Sequence, residues 1–144
     1  MKTCTFFGHR DCPDTIIAPL REKIINLIEK EKVSAFYVGN QGNFDNFVIR
    51  IFKELILLYP NIKFFIVLAY IPGHIHKMDS FVSANTIIPE GIEAVPKKFA
   101  ISYRNKWLVN NSDIIISYVT HTFGGAAQYV NLAKRKNKKI INLS

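Results

Sequence analysis

Three glycine-containing stretches of the sequence carry residue types that could bind a ligand. They are Gly8-His9-Arg10, residues 39–45 ("GNQGNFD") and residues 120–125 ("THTFGG"), and each follows a short run of β-branched and aromatic residues. An arginine offers a planar fork of donors that suits a phosphate group. Glycines that open a helix let the backbone approach a ligand and leave N–H groups free for an anion. These residue types favour a phosphorylated ligand.

The elements that must position these stretches alternate between strands and helices. Strands are predicted at residues 3–7, 34–38, 63–70, 113–119 and 138–143, and helices at residues 14–32, 44–59, 99–111 and 125–136. The strands are mostly continuous apolar runs, which is typical of a parallel sheet covered on both faces. We therefore predict an α/β fold: a Rossmann-like three-layer α/β/α sandwich with a mainly parallel five-stranded sheet, in a single domain over residues 1–144.

The loops at one edge of this sheet contain the candidate site. Ligands bind beyond the carboxyl ends of the strands in an open parallel sheet. The residues predicted to bind a ligand there are Gly8, His9, Arg10, Gly39, Asn40, Gln41, Gly42, Asp45, Tyr70, Arg104, Asn105, Thr120, His121, Thr122, Gly124, Gly125 and Gln128. The glycine turn at residues 39–42 matches neither the dinucleotide fingerprint nor a P-loop.

Asp45 and Arg104 are the catalytic candidates among these residues. Asp45 falls in the first turn of the second helix, where a carboxylate also complements the helix dipole. It could instead accept hydrogen bonds from ribose hydroxyls, so capping and ligand binding are both open. Arg104 lies on the third helix, whose start can lie near the ligand edge. The irregular segment at residues 71–98 either is functional or carries a short element of its own.

The composition is that of an ordinary globular protein, with 49% apolar and 21% charged residues. No apolar run approaches the ~20 residues that cross a bilayer. The first residues lack the basic-then-apolar layout of a signal peptide. We therefore expect a cytoplasmic protein with no membrane partner.

The net charge of +8 favours anionic partners. Part of the excess is residues 134–139 ("KRKNKK"), where cations complement the C-terminal end of a helix. A solvated helix end is the simpler interpretation of this run, and a nucleic-acid patch is the alternative. Cys4 and Cys12 have no metal-ligand spacing, and His74 and His76 lack a third ligand. The sequence therefore predicts no metal and no cofactor.

Four stretches together resemble the YpsA-like branch of the SLOG superfamily. They are "TFFGHRDCP", "FYVGNQGNFD", "AISYRNKWLVNNSD" and "THTFGGAAQYVNLAKRKNKKIINL". This superfamily groups Rossmann-like domains related to the cytokinin-activating LOG phosphoribohydrolases and the DNA-processing protein DprA. The resemblance covers nearly the whole chain and is weakest over residues 71–98. It implies a pocket for a nucleotide or nucleotide-derived ligand at the strand ends.

The resemblance to LOG enzymes carries over one of their two catalytic residues. LOG enzymes cleave the N-glycosidic bond of a nucleoside 5′-monophosphate with an arginine and a glutamate. Arg104, nine residues before Asp113, matches the arginine. The glutamate is missing, because the helix after Gly125 reads Ala-Ala-Gln, and Gln128 can hydrogen-bond a hydroxyl without carrying negative charge.

Cleavage builds positive charge on the ribose ring, which a carboxylate stabilises. Asp45, Glu90 or Glu93 would have to supply that carboxylate. The first hypothesis is therefore a binding module that senses or sequesters an ADP-ribose derivative or a nucleoside monophosphate. The second is an N-glycosidase or deoxyribosyltransferase acting on nucleosides or their monophosphates.

A third hypothesis is single-stranded nucleic-acid binding through the basic run and exposed aromatic residues. A homo-oligomer formed through helices, with Trp107 or Phe99 at the contact, also remains open. Trp107 is most simply a core residue.

Overall fold

In the part of the chain that the structure describes, six parallel strands form one central sheet. The computed structural model describes residues 1–70 and 79–144. The strands are β1 Lys2–Gly8, β2 Val33–Val38, β3 Lys63–Val67, β4 Thr86–Ile87, β5 Ile114–Tyr118 and β6 Lys139–Asn142. Their order is β4-β3-β2-β1-β5-β6, and every neighbouring pair is parallel. The predicted α/β sandwich is confirmed.

Helices cover both faces of the sheet. They are α1 Ile17–Glu29, α2 Asn43–Leu58, α3 Ser80–Ala84, α4 Lys97–Asn110 and α5 Gly125–Arg135, with 3₁₀ turns at Asp14–Ile16 and Ile92–Ala94. The helix predicted at residues 14–32 is shorter than expected: its first turn is 3₁₀, and it ends where Lys30 N–H donates to the Asn26 carbonyl. Among the described residues, no helix is long and apolar enough to span a bilayer.

Side chains that alternate along each strand enter two separate cores. Cys4 and Phe6 of β1 pack with the apolar residues of α1 and α2. Phe7 faces the other way and packs with residues of α4 and α5, where its ring stacks on Tyr129. Trp107 is half-buried in this second core, with its ring edge-on to Tyr37. Burial on both faces explains why the strands read as continuous apolar runs.

The predicted number of strands is wrong by one. β4 contains only two residues, Thr86 and Ile87, which pair with Ile66 and Val67 of β3. A strand this short leaves no readable period in the sequence. The predicted third strand also ends earlier, at Val67 instead of residue 70. The described part of the irregular segment, residues 79–98, thus carries short elements of its own.

Strand order reverses at β1, which has β2 on one side and β5 on the other. The connections after β1 and β5 therefore leave the sheet in opposite directions. This divergence opens a crevice at the carboxyl edge, the usual ligand position in such sheets.

Candidate functional site

A cavity of about 290 Å³ occupies this crevice. Nine of the residues predicted from the sequence line it: Gly8, His9, Arg10, Gly39, Gln41, Asp45, Arg104, Asn105 and Gly125. The other lining residues are Phe6, Phe7, Ile101, Leu108 and Ala126. Loops that are distant in sequence therefore meet around one space, as the parallel topology predicts.

Two helices begin at this edge with a glycine in the same unusual backbone conformation. Gly42 precedes α2 with φ 91° and ψ −176°, and Gly124 precedes α5 with φ 95° and ψ 175°. This region is essentially restricted to glycine. Neither helix start receives a hydrogen bond from its N-cap side chain, because glycine has none. Gly125 and Ala126, the first two residues of α5, line the cavity, and the first N–H groups of a helix have no acceptor within the helix.

Arg104 places a buried positive charge beside that helix start. Its side chain comes from α4 and is only 2% exposed. Nη1 donates to the Val67 carbonyl at 2.8 Å, and Nε donates to Asn105 Oδ1 at 2.8 Å. A longer bond of 3.4 Å joins Nη1 to Asn40 Oδ1. Within the described residues, nothing accepts a hydrogen bond from Nη2.

Burial lowers the pKa of Arg104, and the nearby Asp45 carboxylate opposes that effect. An arginine nevertheless stays charged at neutral pH, because its ordinary pKa lies so high. In residues 1–70 and 79–144, no ion pair within 4.0 Å joins this guanidinium to a carboxylate. Among the described residues, the site therefore holds a fixed cation whose Nη2 group meets no acceptor.

Asp45 faces the same cavity from the first turn of α2. Its side chain is buried, and Oδ2 accepts a hydrogen bond from Gln41 N–H at 2.9 Å. Burial raises the pKa of Asp45 from 3.8 to about 6, although this bond and the charges of Arg104 and Arg10 act in the opposite direction. The carboxylate thus accepts a local backbone hydrogen bond and also lines the cavity, and its predicted role in ligand binding stays a prediction.

Gly39 lets these two groups approach the end of β2. A Cβ atom built at Gly39 would lie 3.0 Å from both Asp45 Oδ2 and Arg104 Nη1. Arg10 borders the same loop from the exposed side, where its Nη2 donates to Gln41 Oε1 at 3.2 Å. The side chains of Arg10, Asp45 and Arg104 therefore surround the loop at residues 39–42.

His9 connects the β1 and β5 loops across the crevice. Its Nε2 accepts a hydrogen bond from Thr120 N–H at 3.0 Å, which leaves the proton of the neutral ring on Nδ1. The ring stacks on His121 with 3.9 Å between centroids, and Phe123 follows at 4.5 Å from His121. Burial lowers the pKa of His9, and His121 adds to the effect. The neutral ring is therefore the form that this contact favours.

The remaining predicted residues lie outside the cavity wall. Asn40 touches Arg104, while Gly42 and Gly124 cap helices. Thr120, His121 and Thr122 line a separate groove of about 260 Å³ beside α5. The exposed ring of Tyr70 has Lys97 Nζ at 5.1 Å from its centroid. Gln128 is exposed, as are Glu90 and Glu93, and none of the three lines the cavity.

Sequence reasoning missed the apolar wall that α4 contributes. Ile101, Arg104, Asn105 and Leu108 all line the cavity and are spaced as one face of a helix. Ile101 and Leu108 lie three residues before and four residues after Arg104, so the sequence alone could have placed them on the same face of the helix. Phe6 and Phe7 gave no such signal, because strand residues buried on both faces read as core.

The described residues contain no group of three or more His, Cys, Asp or Glu side chains placed to hold a metal ion. His74 and His76 lie outside the described residues. Both cysteines are buried, and burial raises the pKa of Cys12 to about 11. Cys12 is therefore not a thiolate at neutral pH.

No protein-family model and no curated protein matches the chain. The resemblance to the SLOG superfamily stays a prediction, and the functional argument depends on the geometry of the site.

Proposed function

We propose that this protein binds a phosphorylated nucleotide-type ligand at the carboxyl edge of its sheet, as a sensing or sequestering module. One observation carries the proposal: the buried guanidinium of Arg104 and the start of α5 line the same cavity. Both the guanidinium and the N–H groups at the start of a helix donate hydrogen bonds to anions, so an anion in this cavity could bind to both.

The burial of Arg104 is the first argument for an anion. A buried charge is costly unless it is paired and hydrogen-bonded. Here one backbone carbonyl and two amide side chains accept from Arg104, while Nη2 has no described partner. A phosphate oxygen at Nη2 would complete the set of acceptors. The same phosphate could accept from the N–H groups at the start of α5.

The size of the cavity sets the class of ligand. Small-molecule sites usually measure about 300–1,000 Å³, and this cavity of about 290 Å³ lies at the lower limit. It suits a nucleoside monophosphate or a ribose phosphate better than an ADP-ribose derivative. The Asp45 carboxylate, which lines the same cavity, would accept hydrogen bonds from sugar hydroxyls.

The proposal is tested by calorimetric titration with AMP, GMP, CMP, UMP, ribose 5-phosphate, ADP-ribose and, as the matched ligand without phosphate, adenosine. We expect at least one monophosphate to bind at least tenfold more tightly than adenosine. Arg104→Gln should weaken that affinity at least tenfold, and Arg10→Gln, at the exposed rim, should weaken it less. Arg21→Gln is the control, because Arg21 lies on α1 and pairs with Glu54.

Thermal melting of each variant separates lost folding from lost binding. Equal affinity for adenosine and its monophosphate, or an Arg104→Gln protein that is folded and binds normally, would contradict the proposal.

The raised pKa of Asp45 favours a second candidate, cleavage of the N-glycosidic bond. With a pKa of about 6, the carboxylate is mostly ionised at neutral pH yet can still accept a proton. The base would leave with the electrons of the C1′–N bond. Water would then attack C1′ and lose a proton to Asp45, and that proton would pass to the departing base, so that free base and the ribose phosphate are released.

This activity is tested by incubating each monophosphate with the protein and separating the products by chromatography. Release of free base that Asp45→Asn abolishes would establish the enzyme. Recovery of intact nucleotide from a bound complex would leave the protein as a binding module.

A further inference from the structure

The positive charge of the chain is concentrated at the amino edge of the sheet, opposite the cavity. We name this surface the basic edge; it comprises the starts of the strands, the last turns of the helices and the connections between them. Its cations are Lys2, Lys30, Lys32, Lys63 and the five in residues 134–139. Only three carboxylates, Glu29, Glu31 and Asp113, lie there. Nine cations against three carboxylates account for six of the eight net positive charges.

Contacts between side chains show that charges from different elements meet at this edge. Lys139 Nζ lies 2.8 Å from Glu31 Oε1. The pKa of Glu31 is lowered mainly by this hydrogen bond, with Lys2 and Lys23 adding to the effect. Lys2 at the start of β1 and Lys139 at the start of β6 therefore act on one carboxylate. Among the described ion pairs, that of Lys139 is the one that neutralises a cation of the basic edge.

We propose that the basic edge binds the phosphate backbone of a nucleic-acid duplex. The cations extend from Lys63 at β3 to Lys139 at β6, and four strand spacings of about 4.8 Å give a row about 19 Å long. Duplex DNA carries one negative charge per ~1.7 Å of axis, so about six base pairs would run along such a row. This surface is distinct from the nucleotide cavity and does not depend on it.

The residue types at this edge suit contacts with the phosphate backbone of a nucleic acid that do not depend on its base sequence. Its cations are lysines apart from Arg135, and a lysine acts as a point charge toward phosphate. Binding of a single strand would instead need exposed aromatic side chains on which the bases stack. The exposed aromatic residues in the described chain, Tyr70, Phe99, Tyr103 and Phe123, all belong to the opposite edge. A duplex therefore fits better than a single strand.

The test is fluorescence anisotropy with a labelled 20-base-pair DNA duplex between 50 and 200 mM salt. We expect affinity to fall steeply as salt rises, and a single strand of the same length to bind more weakly. Lys134→Glu with Lys136→Glu should lower the affinity at least tenfold. The logarithmic salt slope should fall by about two, since each lost phosphate contact removes about one.

Lys97→Glu with Lys98→Glu is the matched control, because it changes the net charge equally at the start of α4, on the opposite edge. It should alter the affinity less than threefold at 100–150 mM salt, since charges beyond about 8–10 Å are largely screened there. Lys134→Gln with Lys136→Gln provides a milder pair if the glutamates unfold the end of α5. Normal nucleotide binding by these variants would keep this test separate from the proposed function.

Several results would overturn the inference. Equal losses in the control and the test variants would mean that net charge alone is responsible. Affinity that does not depend on salt would exclude phosphate contacts. Binding to polyglutamate as tightly as to the duplex would assign an acidic protein partner. Tighter binding to phosphatidylserine vesicles would assign a membrane surface, for which the exposed Leu57 and Leu58 at the end of α2 would be the apolar contacts.

Discussion

Asp45 is a carboxylate that the fold holds where ionisation is unfavourable. Its pKa is raised on folding, so the unfolded chain loses this proton at lower pH than the native protein does. The contribution of Asp45 to stability is therefore greatest below about pH 3.8 and falls as the pH rises toward 6. A residue that lowers stability at neutral pH and lines a cavity is typical of a functional site.

Replacement of Asp45 by asparagine should remove this penalty. Asparagine retains an oxygen for Gln41 N–H and carries no charge, so the free energy of unfolding at pH 7 should rise by roughly 1–3 kcal/mol. Near pH 3.5 the variant and the native protein should be equally stable. Urea denaturation at both pH values measures the difference, with Asp11→Asn on the exposed β1 loop as control. A variant that is less stable at pH 7 would mean that capping by the charged form outweighs its burial.

Gly39 should be as sensitive to substitution as Asp45 and Arg104, the two charged residues that lie close to it. An alanine Cβ there would lie 3.0 Å from Arg104 Nη1 and Asp45 Oδ2, so these buried side chains must move by a few tenths of an ångström. Gly39→Ala should therefore lower the free energy of unfolding by about 1–3 kcal/mol, the usual cost of overpacking. It should also weaken monophosphate binding at least tenfold, measured by the same titration. Unchanged affinity would show that the geometry of this pair is not needed for the ligand.

At the scale of elements, the two adjacent glycines at the start of α5 differ in backbone conformation. Gly124 has φ 95°, and its Cβ would meet nothing closer than 3.8 Å, so only backbone strain opposes a side chain. Gly124→Ala should cost about 1–3 kcal/mol of unfolding free energy. Gly125→Ala is the matched control, because an added Cβ has no neighbour within 4 Å and the residue is helical. It should be neutral or slightly stabilising. Thermal denaturation measures both, and equal losses would contradict the assigned conformation.

The same helix shows what the sequence could and could not reveal. The glycine pair, the helix and the sheet edge were all predicted, because apolar runs and glycine turns follow directly from local chemistry. The different roles of Gly124 and Gly125 were not, since both carry the same signal in a sequence. Likewise, the sequence predicts that Arg104 lies near the edge, but its burial depends on contacts made in the folded protein, such as its hydrogen bond to the Val67 carbonyl. β4 escaped prediction because two residues have no period.

At the scale of the whole molecule, the two candidate surfaces occupy opposite edges of one sheet. β1 spans seven residues, so at about 3.3 Å per residue the edges lie about 20 Å apart. This separation exceeds the Debye length of about 8 Å at physiological salt. The parallel strands between these edges are packed between two cores.

The two edges should therefore bind their ligands independently. At 150 mM salt, a saturating DNA duplex should change the affinity for the bound monophosphate less than twofold, as distant and independent sites do. Titration with and without the duplex measures this ratio. The Lys134→Gln, Lys136→Gln protein is the control, because its duplex site is weakened while its cavity is intact. A change above about fivefold in the native protein alone would mean that the sheet transmits a conformational change between its edges, and the two surfaces would then be parts of one function.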